Sequence, residues 1–261
     1  MIPRKAAVFG VGISVTDYAA ARDEIIAAAR ERRSFAMSAL AVHGLIEAVR
    51  DPALRQLVNQ IDLVTPDGQP VRWALNLLHG TALRDRVYGP DLTALVCEAA
   101  AEQRIPIYIY GSTPETCERF VAELRRRYPS IAIAGVQPDR FRDASTQEDE
   151  EDIERINRSG AGIVLVGRGC PLQERWVAAH RNKIDAALMA VGAAFNFFAG
   201  NLMQAPKWMQ RAGLEWAFRL ALEPKRLWRR YTVTNSLFLC LLARDLLRKW
   251  FGRLLAGLAT D

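Results

Sequence analysis

One aspartate stands directly after a short apolar run, in Thr65-Pro66-Asp67-Gly68. A proton-transfer chemistry would be organised around it. The run 61–64 reads as a buried strand that stops at a proline and a glycine, then hands over to a helix from about residue 69. An acidic side chain there sits at the carboxyl end of a strand, where open α/β sheets place their ligands. On their own these four residues favour an ordinary turn whose Asp caps the next helix. The case for a catalytic carboxylate comes from the remainder of the chain.

Two further junctions have the residues to receive phosphate. Gly111-Ser112-Thr113-Pro114-Glu115 follows the apolar IYIY and combines a glycine turn, a hydroxyl cap and a proline entering a helix. Free N–H groups and the helix dipole favour an anion at such a place, although ordinary helices begin the same way. Gly167-Arg168-Gly169-Cys170-Pro171-Leu172-Gln173-Glu174 also follows an apolar run, and its glycines permit a close backbone approach to a ligand. Gly10-Val11-Gly12 lacks the third glycine of a dinucleotide fingerprint, which argues against a nicotinamide cofactor.

The elements that must position these residues alternate. Strand-like runs at 6–11, 34–38, 61–64, 107–110, 131–136, 162–166 and 187–191 are separated by helical patterns at 17–32, 42–59, 69–79, 91–103, 114–127, 147–158, 172–181 and 195–201. That alternation predicts a parallel sheet with covering helices over residues 1–205. The basic start and broken apolar run of the first eighteen residues read as a first strand rather than a cleaved signal. Cys97, Cys117, Cys170 and Cys240 form no Cys-x-x-Cys pair, so neither a zinc site nor a disulfide framework is indicated, and a reducing compartment fits.

The net charge of +6 is unevenly placed. Residues 206–261 hold eleven basic and four acidic residues, a balance of +7 that leaves residues 1–205 near −1. Four of the six tryptophans share this tail, which reads as basic helices interrupted at Pro224. Arginine and tryptophan on the same helices suit a membrane interface. The apolar run 233–243 is too short to span a bilayer, and it either lies in the interface or packs back as core. Two regions, 1–205 and 206–261, with different partners are expected.

Several blocks carry a closer likeness. DLVTPDGQPVRW (62–73), RVYGPDL (86–92), IYGSTPE (109–115), GRGCPLQERW (167–176), the long VGAAFNFFAGNLMQAPKWMQRAGLEWAFRL (191–220) and EPKRLWRRY (223–231) together resemble the WecG/TagA/CpsF family of bacterial glycosyltransferases, glycosyltransferase family 26. The resemblance runs from about residue 6 to 235. It implies a Rossmann-like domain that moves a sugar from a UDP-sugar to a polyprenyl-diphosphate-linked acceptor, with inversion. It also implies a C-terminal helical appendage that associates with the membrane and helps complete the active site. Relatives build teichoic acid linkage units, common antigen or exopolysaccharide. They need no metal or other cofactor, and no Asp-x-Asp pair is present here.

Through the resemblance Asp67 matches a proposed general base, and Arg86 an arginine near it. Gln173 matches a residue lining the sugar pocket, and Arg219, Arg226 and Arg229 match arginines lent by the appendage. Gly111, Ser112 and Gly167 fall at the ligand-facing junctions. Ser38, a candidate catalytic hydroxyl, stands where many relatives place threonine, and Asn196, a candidate substrate-binding residue, where they often place aspartate. Gln137-Pro138-Asp139-Arg140-Phe141 replaces a His-Gly-Tyr-Phe-like segment near the donor, and His43 begins a helix facing the same cleft. These departures fall where sugar identity would be read. The expected setting is the cytoplasmic face of the bacterial inner membrane, as a peripheral protein against anionic lipid, and a homo-oligomer fits the same reading. A non-catalytic adaptor with a lipid-binding tail is the rival. Nucleic acid ranks last, because the basic tail is rich in tryptophan and leucine and carries no recognised nucleic-acid motif.

Overall fold

The computed structural model describes residues 2–258, apart from the side chains of Arg226, Arg230 and residues 253–258. The chain opens with strands β1 (Lys5–Val8) and β2 (Val11–Ser14), which pair with each other and not with the main sheet. This corrects the single first strand expected over 6–11. Phe9 at φ 54° and Gly10 at φ 84° make a two-residue turn, and two successive positive φ values are what a tight hairpin requires. An apolar residue at the first turn position hid it.

Helix α1 (Tyr18–Arg30) leads to β3 (Phe35–Leu40), followed by α2 (Val42–Arg50), α3 (Pro52–Gln60), β4 (Leu63–Pro66) and α4 (Gln69–His79). The single helix expected over 42–59 is two, because a residue before proline is driven out of the helical region. Asp51 then caps α3 by accepting from the N–H groups of Ala53 and Leu54. Next come α5 (Gly89–Glu102), β5 (Ile107–Gly111), α6 (Pro114–Arg127), β6 (Ile133–Gln137), α7 (Thr146–Arg158), β7 (Ile163–Gly167), α8 (Leu172–His180), β8 (Ala187–Ala190) and α9 (Ala194–Phe198). As the alternating pattern predicts, six strands form one parallel sheet, in the order β4-β3-β8-β7-β5-β6, flanked by helices.

Side-chain alternation divides the core into two layers. Phe35, Met37, Ile163, Leu165 and Met189 face the side covered by α1, α5, α6 and α9. Ala36, Leu40, Val164, Val166 and Leu188 face the side covered by α2, α3, α4 and α8. The helices after β3 and after β8 therefore leave on opposite faces of the sheet. Between two adjacent strands whose connections part in this way, a crevice opens above their carboxyl ends.

The tail forms α10 (Lys207–Arg211), α11 (Glu215–Leu222) and α12 (Pro224–Leu258). One stripe of α12 is core: Leu227, Thr234 and Phe238 are buried, and the Phe238 ring meets Phe9 edge-on at 5.4 Å. Lys249 Nζ donates to the carbonyls of Leu77 and Leu78, filling acceptors that the last turn of α4 leaves open. The outer stripe leaves Trp228, Val233, Leu239, Leu247, Trp250 and Phe251 exposed. The apolar run 233–243 thus packs back as core along one face, with Thr234 and Phe238 buried, and exposes Val233 and Leu239 on the other. Among the described residues no helix is long and apolar enough to cross a membrane.

Candidate active site

The crevice is a cleft of about 630 Å³, floored by the carboxyl ends of the central strands and roofed by α11 and α12. Asp67 lies just past β4, with part of its surface open to the cleft. It does not cap the next helix, because Gly68 holds that position and no side chain caps it. Instead the Gly89 N–H, at the first turn of α5, donates to Asp67 Oδ1 at 2.6 Å. Burial lifts the Asp67 carboxyl to about 6, against the pull of Arg86, the Gly89 N–H and Arg219 and with a push from Glu215. A carboxylate poised near neutrality accepts a proton better than an ordinary aspartate does.

Arg86 is buried beside it. Its Nη2 donates to Glu215 Oε2 at 2.7 Å and to Gln210 Oε1 at 3.2 Å, and its guanidinium lies 4.1 Å from the centre of the Tyr88 ring. Tyr88 OH donates to the other Glu215 oxygen at 2.9 Å. Burial works against the Arg86 charge, yet Glu215 and Asp67 together hold its pKa above the ordinary value. Two tail residues therefore fix an arginine of the sheet domain. Sequence reasoning assigned no role to Glu215, Gln210 or Tyr88. An acid in the first turn of a helix is ordinary, so Glu215 gave no local signal.

The phosphate-type junctions meet at the same cleft. Gly111, at φ 105°, lies so close to Gly167 that an added Cβ would stand 2.9 Å from the Gly167 carbonyl carbon. Gly111 therefore cannot carry a side chain, and a Cβ on Gly167 would stand 2.7 Å from the Phe195 ring, so both strand ends stay bare. Ser112 and Gly167 line the cleft, while Thr113, not Ser112, supplies the cap of α6 by accepting from Thr116 N–H. Arg168 reaches the rim, where Asp139 holds it at 2.9 Å. Phe141 is an exposed ring at the same rim.

Gln173 and Glu174, both buried, form one wall. Gln173 Nε2 donates to Glu174 Oε1 at 2.9 Å, and Ser38 Oγ donates to the same oxygen at 3.1 Å. Burial raises the Glu174 carboxyl above its ordinary range. Ser38 itself is fully buried below the floor, and its hydroxyl reaches the cleft only through Glu174. Asn196, on α9, lines the cleft and accepts from Asn201 at 3.3 Å. Arg219, on α11, lines it too. Arg229 is exposed on α12 and is not part of the lining, and the Arg226 side chain falls outside the described residues. His43 lines the cleft from α2, its Nδ1 3.7 Å from Glu47. Among the described residues no group of three His, Cys, Asp or Glu side chains is placed to hold a metal ion.

This arrangement offers a raised carboxylate at Asp67 beside a buried arginine, a second at Glu174 in the cleft wall, further lining arginines, and open glycine junctions at a helix start. Together these can take a proton from a hydroxyl and gather the charge of a departing phosphate. Comparison with known proteins points the same way. Two relatives are both named N-acetylglucosaminyldiphosphoundecaprenol N-acetyl-beta-D-mannosaminyltransferase. The one from Bacillus spizizenii is 29% identical over 185 residues, 70% of this chain and 69% of its own length. The one from Bacillus subtilis is 28% identical over 205 residues, 78% of this chain and 77% of its own. The sequence profile of the glycosyl transferase WecG/TagA/CpsF family matches residues 6–252, and the chain belongs to that family of glycosyltransferases.

Proposed function

We propose that this glycosyltransferase moves a sugar from a UDP-sugar to a polyprenyl-diphosphate-linked acceptor, with inversion and without a metal. The observation that carries the reading is Asp67, held by the Gly89 N–H in the cleft beside buried Arg86. In the proposed step the acceptor hydroxyl loses its proton to Asp67 as its oxygen attacks the anomeric carbon. The bond from that carbon to the diphosphate breaks on the opposite face, and UDP leaves. Arg86 and Arg219, with N–H groups near Ser112, receive the growing negative charge. Gln173 and Asn196 face the sugar, while Ser38 positions Glu174 rather than touching substrate. The relatives' names make N-acetylmannosamine the first donor sugar to test, and N-acetylglucosamine on a diphosphate lipid the first acceptor.

Residues 1–205 would form the catalytic domain and 206–261 an appendage that lends Gln210, Glu215 and Arg219 to it. The exposed aromatic and apolar stripe of α12 and the basic balance of the tail support peripheral attachment to an anionic membrane, where the lipid acceptor resides. The cytoplasmic face of the inner membrane is the proposed location.

A thermal-shift screen of UDP-sugars, followed by transfer onto short polyprenyl-diphosphate sugars, tests the function. UDP at a hundred times its Kd is expected to stabilise the fold by about 2.7 kcal/mol. The sugar of at least one stabilising donor should appear on the lipid acceptor. Absence of both UDP binding and transfer, with membrane binding retained, would favour the adaptor instead.

A further inference from the structure

Glu215 comes from the tail, yet both of its carboxylate oxygens are spent on the sheet domain. Oε2 takes the Arg86 Nη2 hydrogen bond at 2.7 Å, and Oε1 takes the Tyr88 hydroxyl at 2.9 Å. Glu215 and Asp67 act on the same guanidinium, and Glu215 holds the direct contact. The charged and titratable groups around Asp67 come from several elements. Arg86 and Tyr88 precede α5, Glu215 and Arg219 lie on α11, and Tyr18 lies on α1. His43 of α2, Glu174 of α8 and Arg168 after β7 line the same cleft.

The geometry points to Glu215 as a positioning residue: by occupying Arg86, it leaves Asp67 a competent proton acceptor only while α11 is seated on the cleft. A lone Asp67–Arg86 pair would be a strong ion pair, and a carboxylate locked in an ion pair is a poor base. A second anion on the arginine weakens that lock. The tail then contributes more than a lipid-facing surface, because seating it arms the base. This role rests on the proposed transferase reading, in which Asp67 is the base.

The test reads Asp67 directly, by carboxyl ¹³C NMR titration of the full chain, with the resonance assigned through Asp67→Asn. In Glu215→Gln, which keeps the shape and removes the charge, the Asp67 midpoint is expected to fall by roughly half a unit or more. Glu215→Asp keeps the charge on a shorter arm, and its midpoint should stay near that of the unsubstituted chain. The acid limb of the transfer rate should follow the same order. If Glu215 served only as a structural contact, the shorter aspartate would disturb the site at least as much as glutamine. That order, or an unmoved midpoint in both variants, would overturn the role. Because the titration needs no substrate, an inactive parent protein would count against the transferase reading alone.

Discussion

Replacing Asp67 by asparagine is expected to lower glycosyl transfer by about 10³-fold or more, the upper part of the range for removing a positioned general base. UDP affinity should stay within roughly threefold, because the amide oxygen can still accept from Gly89 N–H and the arginines remain. The same variant should be more stable than its parent at neutral pH. Burial raises the Asp67 pKa from 3.8 to about 6, so the native state binds this proton more tightly than the unfolded chain does. Parent stability therefore falls as pH rises through that window, and the cost is complete above it. Asparagine carries no such cost. Its expected advantage is about 1–3 kcal/mol at pH 8, shrinking to almost nothing near pH 3, below the unfolded pKa. Thermal unfolding at the two pH values, beside single-turnover transfer, checks both halves. Wild-type-like turnover by Asp67→Asn would remove it as base, and a stability gain that grew toward acid would reverse the burial argument.

Arg86→Ala should fail differently. Loss of a preorganised cation at a leaving phosphate costs about 10²–10³ in rate, and UDP binding should weaken by about tenfold or more because the ground-state diphosphate meets the same group. The fold should suffer too, since the half-buried Glu215 would lose its cation and keep only the Tyr88 hydroxyl, a loss of at most about 3 kcal/mol, the lower end for broken buried pairs. Arg86→Lys restores charge but not the forked geometry that reaches both Glu215 and Gln210, so only partial rescue is expected. Calorimetry with UDP separates the two residues: Asp67→Asn keeps binding and loses rate, whereas Arg86→Ala loses both. Retained UDP affinity in Arg86→Ala would place the diphosphate elsewhere.

The sheet was legible because its strands are short apolar runs bounded by glycine, proline and helical periods. Such patterns depend on neighbours in sequence. Phe9 escaped because an aromatic residue at positive φ gives no turn signal, and the split of α2 from α3 turned on one proline inside an otherwise continuous pattern. At the site, Asp67, Arg86 and Gln173 were reachable through the likeness of their blocks to a known family. Glu215 was not, because its meaning lies in contacts with Arg86 and Tyr88, more than a hundred residues away. Ser38 shows the opposite limit. Its hydroxyl was visible in the sequence, but that it points beneath the floor to Glu174 depends on how β3 and α8 pack. Charge counting found the basic tail, and only the packed helix separates its core stripe, with Phe238, from its exposed stripe, with Trp228 and Trp250.

The most direct measurement is a structure of this protein with a UDP-sugar analogue that cannot transfer. The expected result has the diphosphate within hydrogen-bond reach of Arg86 or Arg219 and the Ser112 turn, with the Asp67 carboxylate facing the anomeric carbon from the side opposite the leaving phosphate. A nucleotide bound outside this cleft, or an Asp67 turned away from the anomeric carbon, would contradict it.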